Sequence, residues 1–301
     1  MKSIIQSGYS LILNEVSLLW NLMKSNLDGA FIPFPIFTVA SLLHRGALWD
    51  EILVRLVHSL IYAFFYQYVF ELLNQTAQPE HRLEDKINKP DRPFVTDALT
   101  LRSATIRYYI SLAAWLAYSY SLGTLLWTLG WLAIVFGSWK YSVRLSDFGP
   151  TKDLSIAAGL IVQLMAAWHI GGSDDNVGWH WVKVLAVWMY PTIGIQDLRD
   201  VPGDLAVGRR TTVIILGDIT ARIYHSVGLV VFGYVYVFQW LLESRYDSST
   251  LIVSTAIAAL TAWVIFRMFA WKSIESDRLT YRYYMALYHL NLVATGVCLR
   301  S

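Results

Sequence analysis

Residues 196–211 read QDLRDVPGDLAVGRRT and set Asp197, Asp200 and Asp204 at offsets of zero, three and seven. On a helix those offsets return to nearly one face, so three carboxylates converge and repel unless a cation compensates them. Hard oxygen ligands of this kind suit Mg²⁺, which binds through one or two carboxylates while substrate phosphates complete its shell. Pro202 predicts that the regular helix stops near Val201, since the residue before a proline avoids the helical conformation, and that Asp204 sits on a turn. The alternative for the segment is a solvated acidic loop.

A second polar stretch, NQTAQPEHRLEDKINKPDRPF, occupies residues 74–94. Asn74 and Asp85 are eleven residues apart, about three helical turns, and would share a face if the helix were unbroken. Pro79 predicts a break after Gln78 and a short second helix carrying Glu80, Glu84 and Asp85. Acidic groups that hold a divalent metal, set beside Lys and Arg that neutralise phosphate, are what a diphosphate site needs. Basic residues alone would bind an anion without assembling a metal.

The rest of the chain must position these two caps. Of its 301 residues 55% are hydrophobic and only 15% charged, with mean hydropathy +0.43, which marks a membrane protein. A net charge of +2 with no basic stripe gives no case for a nucleic-acid partner. The lone Cys298 excludes an intrachain disulfide and a cysteine-based zinc site. Asn14 and Glu15 interrupt the first apolar run, so a cleaved signal peptide is not expected.

A spanning helix takes about 20 mostly apolar residues. Nine stretches qualify, near 28–44, 52–73, 104–121, 122–139, 154–170, 179–196, 221–243, 250–270 and 281–299. The first is interrupted by Pro33 and Pro35. Residues 9–23 have the spacing of an amphipathic interfacial helix, so residues 1–24 are expected to lie at the interface and 25–301 to form one transmembrane domain. With nine spans, 18 of the 24 Lys and Arg fall on the N-terminal side and 4 on the other, which predicts that both polar caps, 74–94 and 196–211, are cytoplasmic.

With Asn74 before it, DKINKPDRP (85–93) together with DLRDVPGDLAVGRRT (197–211) resembles the UbiA superfamily of intramembrane prenyltransferases. The NQ start and the ED pair resemble its fungal terpene-cyclase branch. The resemblance implies an all-α, polytopic membrane bundle with a central cavity capped by cytoplasmic loops, Mg²⁺ as cofactor, and an isoprenyl diphosphate as substrate. In that family the first motif reads NDxxDxxxD and the second DxxDxxxD. Asp197, Asp200 and Asp204 fit the second without a gap. The first departs: counting from Asn74, its aspartates fall on Gln75, Gln78 and Arg82, and counting back from Asp85, on His81 and Gln78. An insertion of about three residues leaves Asn74, Glu84 and Asp85 facing the metal, with Glu80 outside. The implied catalytic set is therefore Asn74, Asp85, Asp197, Asp200 and Asp204, and the implied metal set adds Glu84. Lys86, Lys89, Arg92, Arg209 and Arg210 flank the motifs as phosphate contacts, joined by Tyr141 and Lys152 from the loop after the fourth span.

Departure of diphosphate leaves an allylic carbocation that must be kept from water. Aromatic faces stabilise such a cation. Phe70, four residues before Asn74, and Tyr190, seven before Asp197, share helical faces with the motifs, as does Gln67, which could instead bond a neighbouring helix. His289, inside the last span, is expected to make a packing hydrogen bond. By resemblance to the fungal branch, the expected reaction is cyclisation of farnesyl diphosphate to a sesquiterpene in the endoplasmic reticulum membrane. Prenyl transfer to an aromatic or other acceptor is the alternative, and a transporter or non-catalytic membrane protein the remote one.

Overall fold

The computed structural model describes residues 2–76, 79–139 and 147–300. Its order is α1 (Lys2–Met23), α2 (Leu27–Ala30), α3 (Pro33–His44), α4 (Trp49–Thr76), α5 (Pro79–Asn88), α6 (Leu101–Ser121), α7 (Leu125–Trp139) and α8 (Gly149–Ile170). Then follow α9 (Asn176–Met189), a 3-10 turn (Ile193–Gln196), α10 (Asp197–Ala206), α11 (Thr212–Leu216), α12 (Asp218–Tyr234), a π-helical continuation (Val235–Leu242), α13 (Ser248–Ala270) and α14 (Ile274–Leu299). Among the described residues the only β pairing is an isolated bridge between Phe148 and Arg210.

Local chemistry fixes the helix starts. Asp175 accepts from the N–H groups of Val177 and Gly178, and Thr100, Asp247 and Ser273 cap α6, α13 and α14 in the same way. Pro33 opens α3, where its missing N–H is not needed, and thereby splits the expected first span into α2 and α3. The expected sixth span also divides, because the chain turns at Pro191 before the 3-10 segment that leads into α10. The break between α4 and α5 falls at Pro79, as its sequence predicts.

Pro202 behaves otherwise. Helix α10 runs through it to Ala206, so Asp204 stands in the last helical turn and not on a turn beyond the helix. The ring removes one main-chain bond early in a short helix, and the buried side chains of Leu198 and Asp204 anchor the remainder.

Side chains are segregated as in a bundle immersed in lipid. Ile219, Ile223, Val227, Val230 and Tyr234 form an exposed apolar stripe along α12, and Leu53, Val57, Leu60 and Ile61 do so on α4. Five stretches, 27–44, 49–76, 149–170, 218–242 and 248–270, are long and apolar enough to cross a bilayer. Polar bonds tie the helices inside: Tyr62 to Thr128 at 2.7 Å, Thr38 to Ser59 at 2.9 Å, and Gln67 Nε2 to the carbonyl of Met23 at 2.6 Å. Helices α8 and α9 approach closely at Gly178, where a Cβ would lie 2.5 Å from Trp168 Nε1.

On α1, Ile12, Leu13, Val16 and Trp20 are exposed, and Glu15 pairs with Arg107 of α6 at 2.7 Å. The most enclosed ion pair away from the caps is Arg222 with Asp277, joined by two 2.8 Å bonds; the same guanidinium donates to the carbonyl of Met268 and to Asp218 at 2.7 Å each. Arg222→Met leaves a buried carboxylate without its cation and is expected to destabilise by about 3–5 kcal/mol. Unfolding of the detergent-solubilised protein measures this, and the double variant Arg222→Met, Asp277→Leu recovers much of the loss.

Candidate active site

The two caps meet at one end of the bundle. Helix α5 packs on α10, and Asn88 Nδ2 donates to the carbonyl of Asp200 at 3.1 Å while its own carbonyl accepts from Arg278 at 3.3 Å. Gly203 permits this approach: a methyl group there would lie 2.2 Å from Asn88 Nδ2. Beneath the junction is a cavity of about 280 Å³.

Its mouth is ionic. Asn74, Glu84, Asp85, Lys89, Arg92, Lys152, Asp200 and Arg209 line it, together with Arg199. Arg92 donates to both oxygens of Asp85 at 3.0 and 2.9 Å and faces Glu71 of α4 at 3.5 Å, and Glu71 in turn accepts from Asn26. Arg209 reaches Glu84 at 2.6 Å and Asp204 at 3.3 Å. Arg199 bonds Asp200 at 3.4 Å and lies over the ring of Tyr281 at 4.0 Å. Lys152 pairs with Asp197.

Asp197 and Asp204 are fully buried behind the lining, and each leaves one carboxylate oxygen, Oδ2, without a hydrogen-bond partner among the described residues. Burial opposes ionisation of Asp200, but Arg199, Lys89 and Lys152 outweigh it and hold its carboxyl below the usual range. Burial pushes Asp204 up to about 6 against the pull of Lys152, with Asp197 and Glu84 adding repulsion. Burial and then Arg92 push the Lys89 ammonium down, and among the described residues its side chain has no hydrogen bond or ion pair. Asp200 and Asp85 attract the Lys89 ammonium from beyond ion-pair distance, so it is a cation at the mouth open to an anionic ligand.

The deeper wall is apolar and aromatic. Phe70 lines it with Tyr66, Trp131, Met285 and Tyr288, and the ring centroids of Tyr66 and Trp131 are 4.9 Å apart. Tyr66, Phe70 and Asn74 recur every four residues on α4, a spacing that carries the wall up to the polar mouth and from which Tyr66 could have been found.

Other expected contacts lie elsewhere. Gln67 is spent on the Met23 carbonyl, and Tyr190, at the end of α9 and 38% exposed, does not line the cavity because the turn at Pro191 swings it outward. Lys86 is exposed on α5. Arg210 is also exposed and contributes main chain: its N–H donates to Asp147 and its carbonyl accepts from Gly149. Tyr141 lies outside the described residues. His289 donates to the carbonyl of Asp28 at 2.7 Å, the packing bond expected of it. Asp28, Arg199, Tyr281, Trp131 and Tyr288, which the motifs do not single out, also line the cavity. Arg199 stood inside the quoted motif, and Asp28 was an ionisable residue in an apolar span, itself a signal.

The oxygen donors Asn74, Glu84, Asp85 and Asp200 around one mouth, with unpartnered oxygens on Asp197 and Asp204 behind them, fit Mg²⁺ in kind. Among the described residues no three acidic, imidazole or thiol groups converge to hold a metal unaided.

The chain belongs to the UbiA prenyltransferase family, whose family model matches residues 33–291. It is an integral membrane enzyme of the class that acts on isoprenyl diphosphates. It is 27% identical over 291 residues to a somaliensene A/B synthase of Streptomyces somaliensis, covering 95% of this chain and 94% of that one. A diterpene cyclase of Hericium erinaceus is 28% identical over 291 residues, covering 95% and 90%. In fold it matches a UbiA homologue from Archaeoglobus fulgidus bound to GPP and Mg²⁺, with TM-score 0.62 and 16% identity over 92% of this chain and 99% of the other.

Gly203→Ala displaces the Asn88 amide from the Asp200 carbonyl and is expected to cost about 1–3 kcal/mol of stability, as overpacking does. Turnover should fall with it. Thermal unfolding and initial rates on the same preparation measure both.

Proposed function

We propose that the protein ionises an isoprenyl diphosphate at the mouth of this cavity and cyclises the resulting cation within it, with farnesyl diphosphate as substrate and a sesquiterpene hydrocarbon as product. The observation that carries this reading is the division of one cavity into a cationic mouth, with Lys89 open to an anion, and an aromatic floor. Diphosphate would contact Lys89, Arg92, Lys152, Arg199 and Arg209, whose charges stabilise the leaving group. Asn74, Glu84, Asp85 and Asp200 would hold Mg²⁺ there, with Asp197 and Asp204 behind them. The metal supplies Lewis-acid stabilisation of the departing phosphate oxygens. Tyr66, Phe70, Trp131 and Tyr288 exclude water and turn aromatic surface toward the cation.

The cavity of about 280 Å³ lies just below the usual range of ligand sites, roughly 300–1,000 Å³. The diterpene cyclase among the relatives favours a C20 substrate as the second reading, and the family's description favours prenyl transfer as the third. The arrangement goes with nine spans, an N-terminal interfacial segment over residues 1–24 ahead of one domain over 25–301, a cavity mouth on the cytoplasmic side, and residence in the endoplasmic reticulum membrane. The exposed apolar residues of α1 and the distribution of Lys and Arg support that placement.

Purified protein given Mg²⁺ and farnesyl diphosphate without acceptor should release diphosphate and a cyclic hydrocarbon detectable by gas chromatography and mass spectrometry; parallel reactions with geranyl and geranylgeranyl diphosphate fix the chain length. Intact substrate in all three would refute cyclisation. Asp85→Ala and Asp200→Ala should lose nearly all turnover with the fold retained, and wild-type rates in both would remove the metal assignment. Lys89→Met should weaken inhibition by inorganic diphosphate about tenfold, or ~1.4 kcal/mol.

A further inference from the structure

The carboxylates at the cavity mouth have cations: Glu84 pairs with Arg209, Asp85 with Arg92 and Asp200 with Arg199. Asp28 does not. It lines the same cavity from α2, yet among the described residues its carboxylate makes no hydrogen bond or ion pair. An ionisable side chain within an apolar span is costly and is ordinarily either paired or functional.

Two neighbours give its depth. Gln163 Nε2 donates to the carbonyls of Gly29 and Ala30 at 3.0 and 3.2 Å, and His289 donates to that of Asp28. Gln163 stands eleven residues beyond Lys152 along α8, or ~16 Å, and His289 stands eight beyond Tyr281 along α14, or ~12 Å. Lys152 and Tyr281 mark the level of the ionic mouth, since one pairs with Asp197 and the other lies under Arg199. The main chain of the α2 turn therefore sits on the hydrocarbon side of the cations, close to Met285, which approaches Gly29, while the Asp28 carboxylate is within electrostatic reach of Tyr281.

We propose that Asp28 is the base that ends the reaction, taking a proton from the last carbocation; the assignment rests on the cyclase reading. The C–H bond on a carbon next to the cationic centre breaks, its electron pair becomes the new double bond, and the proton passes to an Oδ of Asp28. A neutral hydrocarbon remains. Asp28 then returns the proton to the diphosphate released in the first step or to water at the mouth. Before that transfer its negative charge draws the cationic carbon toward the α2 side of the cavity, so it also selects which proton is lost. The mouth carboxylates suit this less well, because their lone pairs are engaged by guanidinium groups, and the phenols of Tyr66 and Tyr288 are neutral and weakly basic.

The test measures main hydrocarbon formed per diphosphate released, for the full chain with Mg²⁺ and farnesyl diphosphate. In Asp28→Asn the ratio is expected to fall about a hundredfold, the modest end of what a positioned base contributes, with isomers deprotonated elsewhere or water-captured alcohols in its place. Asp28→Glu should keep most of the main product, and Asp28→Ser should repeat the asparagine result where that variant does not fold. An unchanged ratio in Asp28→Asn or Asp28→Ser overturns the assignment, as does a rate loss with product proportions intact, which is what a folding or metal-binding role gives. Failure of the cyclase reading looks different: the parent protein itself then makes no hydrocarbon.

Discussion

Opposite charges buried together at one end of an apolar bundle are the constraint on which this molecule depends. A carboxylate or guanidinium taken out of water alone would be too expensive to keep ionised, so each must find a counter-charge or hydrogen bonds nearby. Arg92 holds Asp85, Arg209 holds Glu84 and Asp204, Lys152 holds Asp197, and Arg199 holds Asp200. These pairs bring together α5, α8 and α10, which are distant in sequence, so the motif carboxylates are positioned before any ligand arrives.

Pairing makes the caps stable but leaves them able to respond. On the proposed reading a substrate diphosphate would compete for the same guanidinium and ammonium groups, and each cation that turned to phosphate would free a carboxylate oxygen for a metal. Coulombic coupling at such short range is strong where water is scarce, so binding of the anion and of the metal should reinforce each other. On that reading Lys89, whose side chain has no hydrogen bond or ion pair among the described residues, would give the incoming phosphate its first cation without breaking an existing pair.

Below the caps the demands reverse. The wall needs shape, polarisable surface and dryness, and it is built from large rings on several helices: Tyr66 and Phe70 on α4, Trp131 on α7, Tyr288 on α14. Tyr288 stacks on Trp188, and Tyr66 packs between Phe34 and Trp131, so ring orientations are set partly by Trp188 and Phe34 outside the cavity. Packed rings do not repack easily, and the cavity keeps its shape while a flexible prenyl chain adapts to it.

Much of this was legible in the chain itself. Apolar stretches of spanning length and the break at Pro79 follow from spacing and from the chemistry of neighbouring residues, which act over a few ångströms along one backbone. The family followed from two short motifs for the same reason. Tertiary structure alone decided which cation meets which carboxylate, that Gln67 is consumed by the Met23 carbonyl, that Tyr190 turns outward past Pro191, and that α10 continues through Pro202. It also put Asp28 within the same cavity as Glu84, Asp85 and Asp200, which come from two distant stretches further along the chain. Those outcomes depend on how helices rotate about their axes and at what depth they cross. Rotation and depth are settled by packing between segments, an energy that no single stretch of sequence contains.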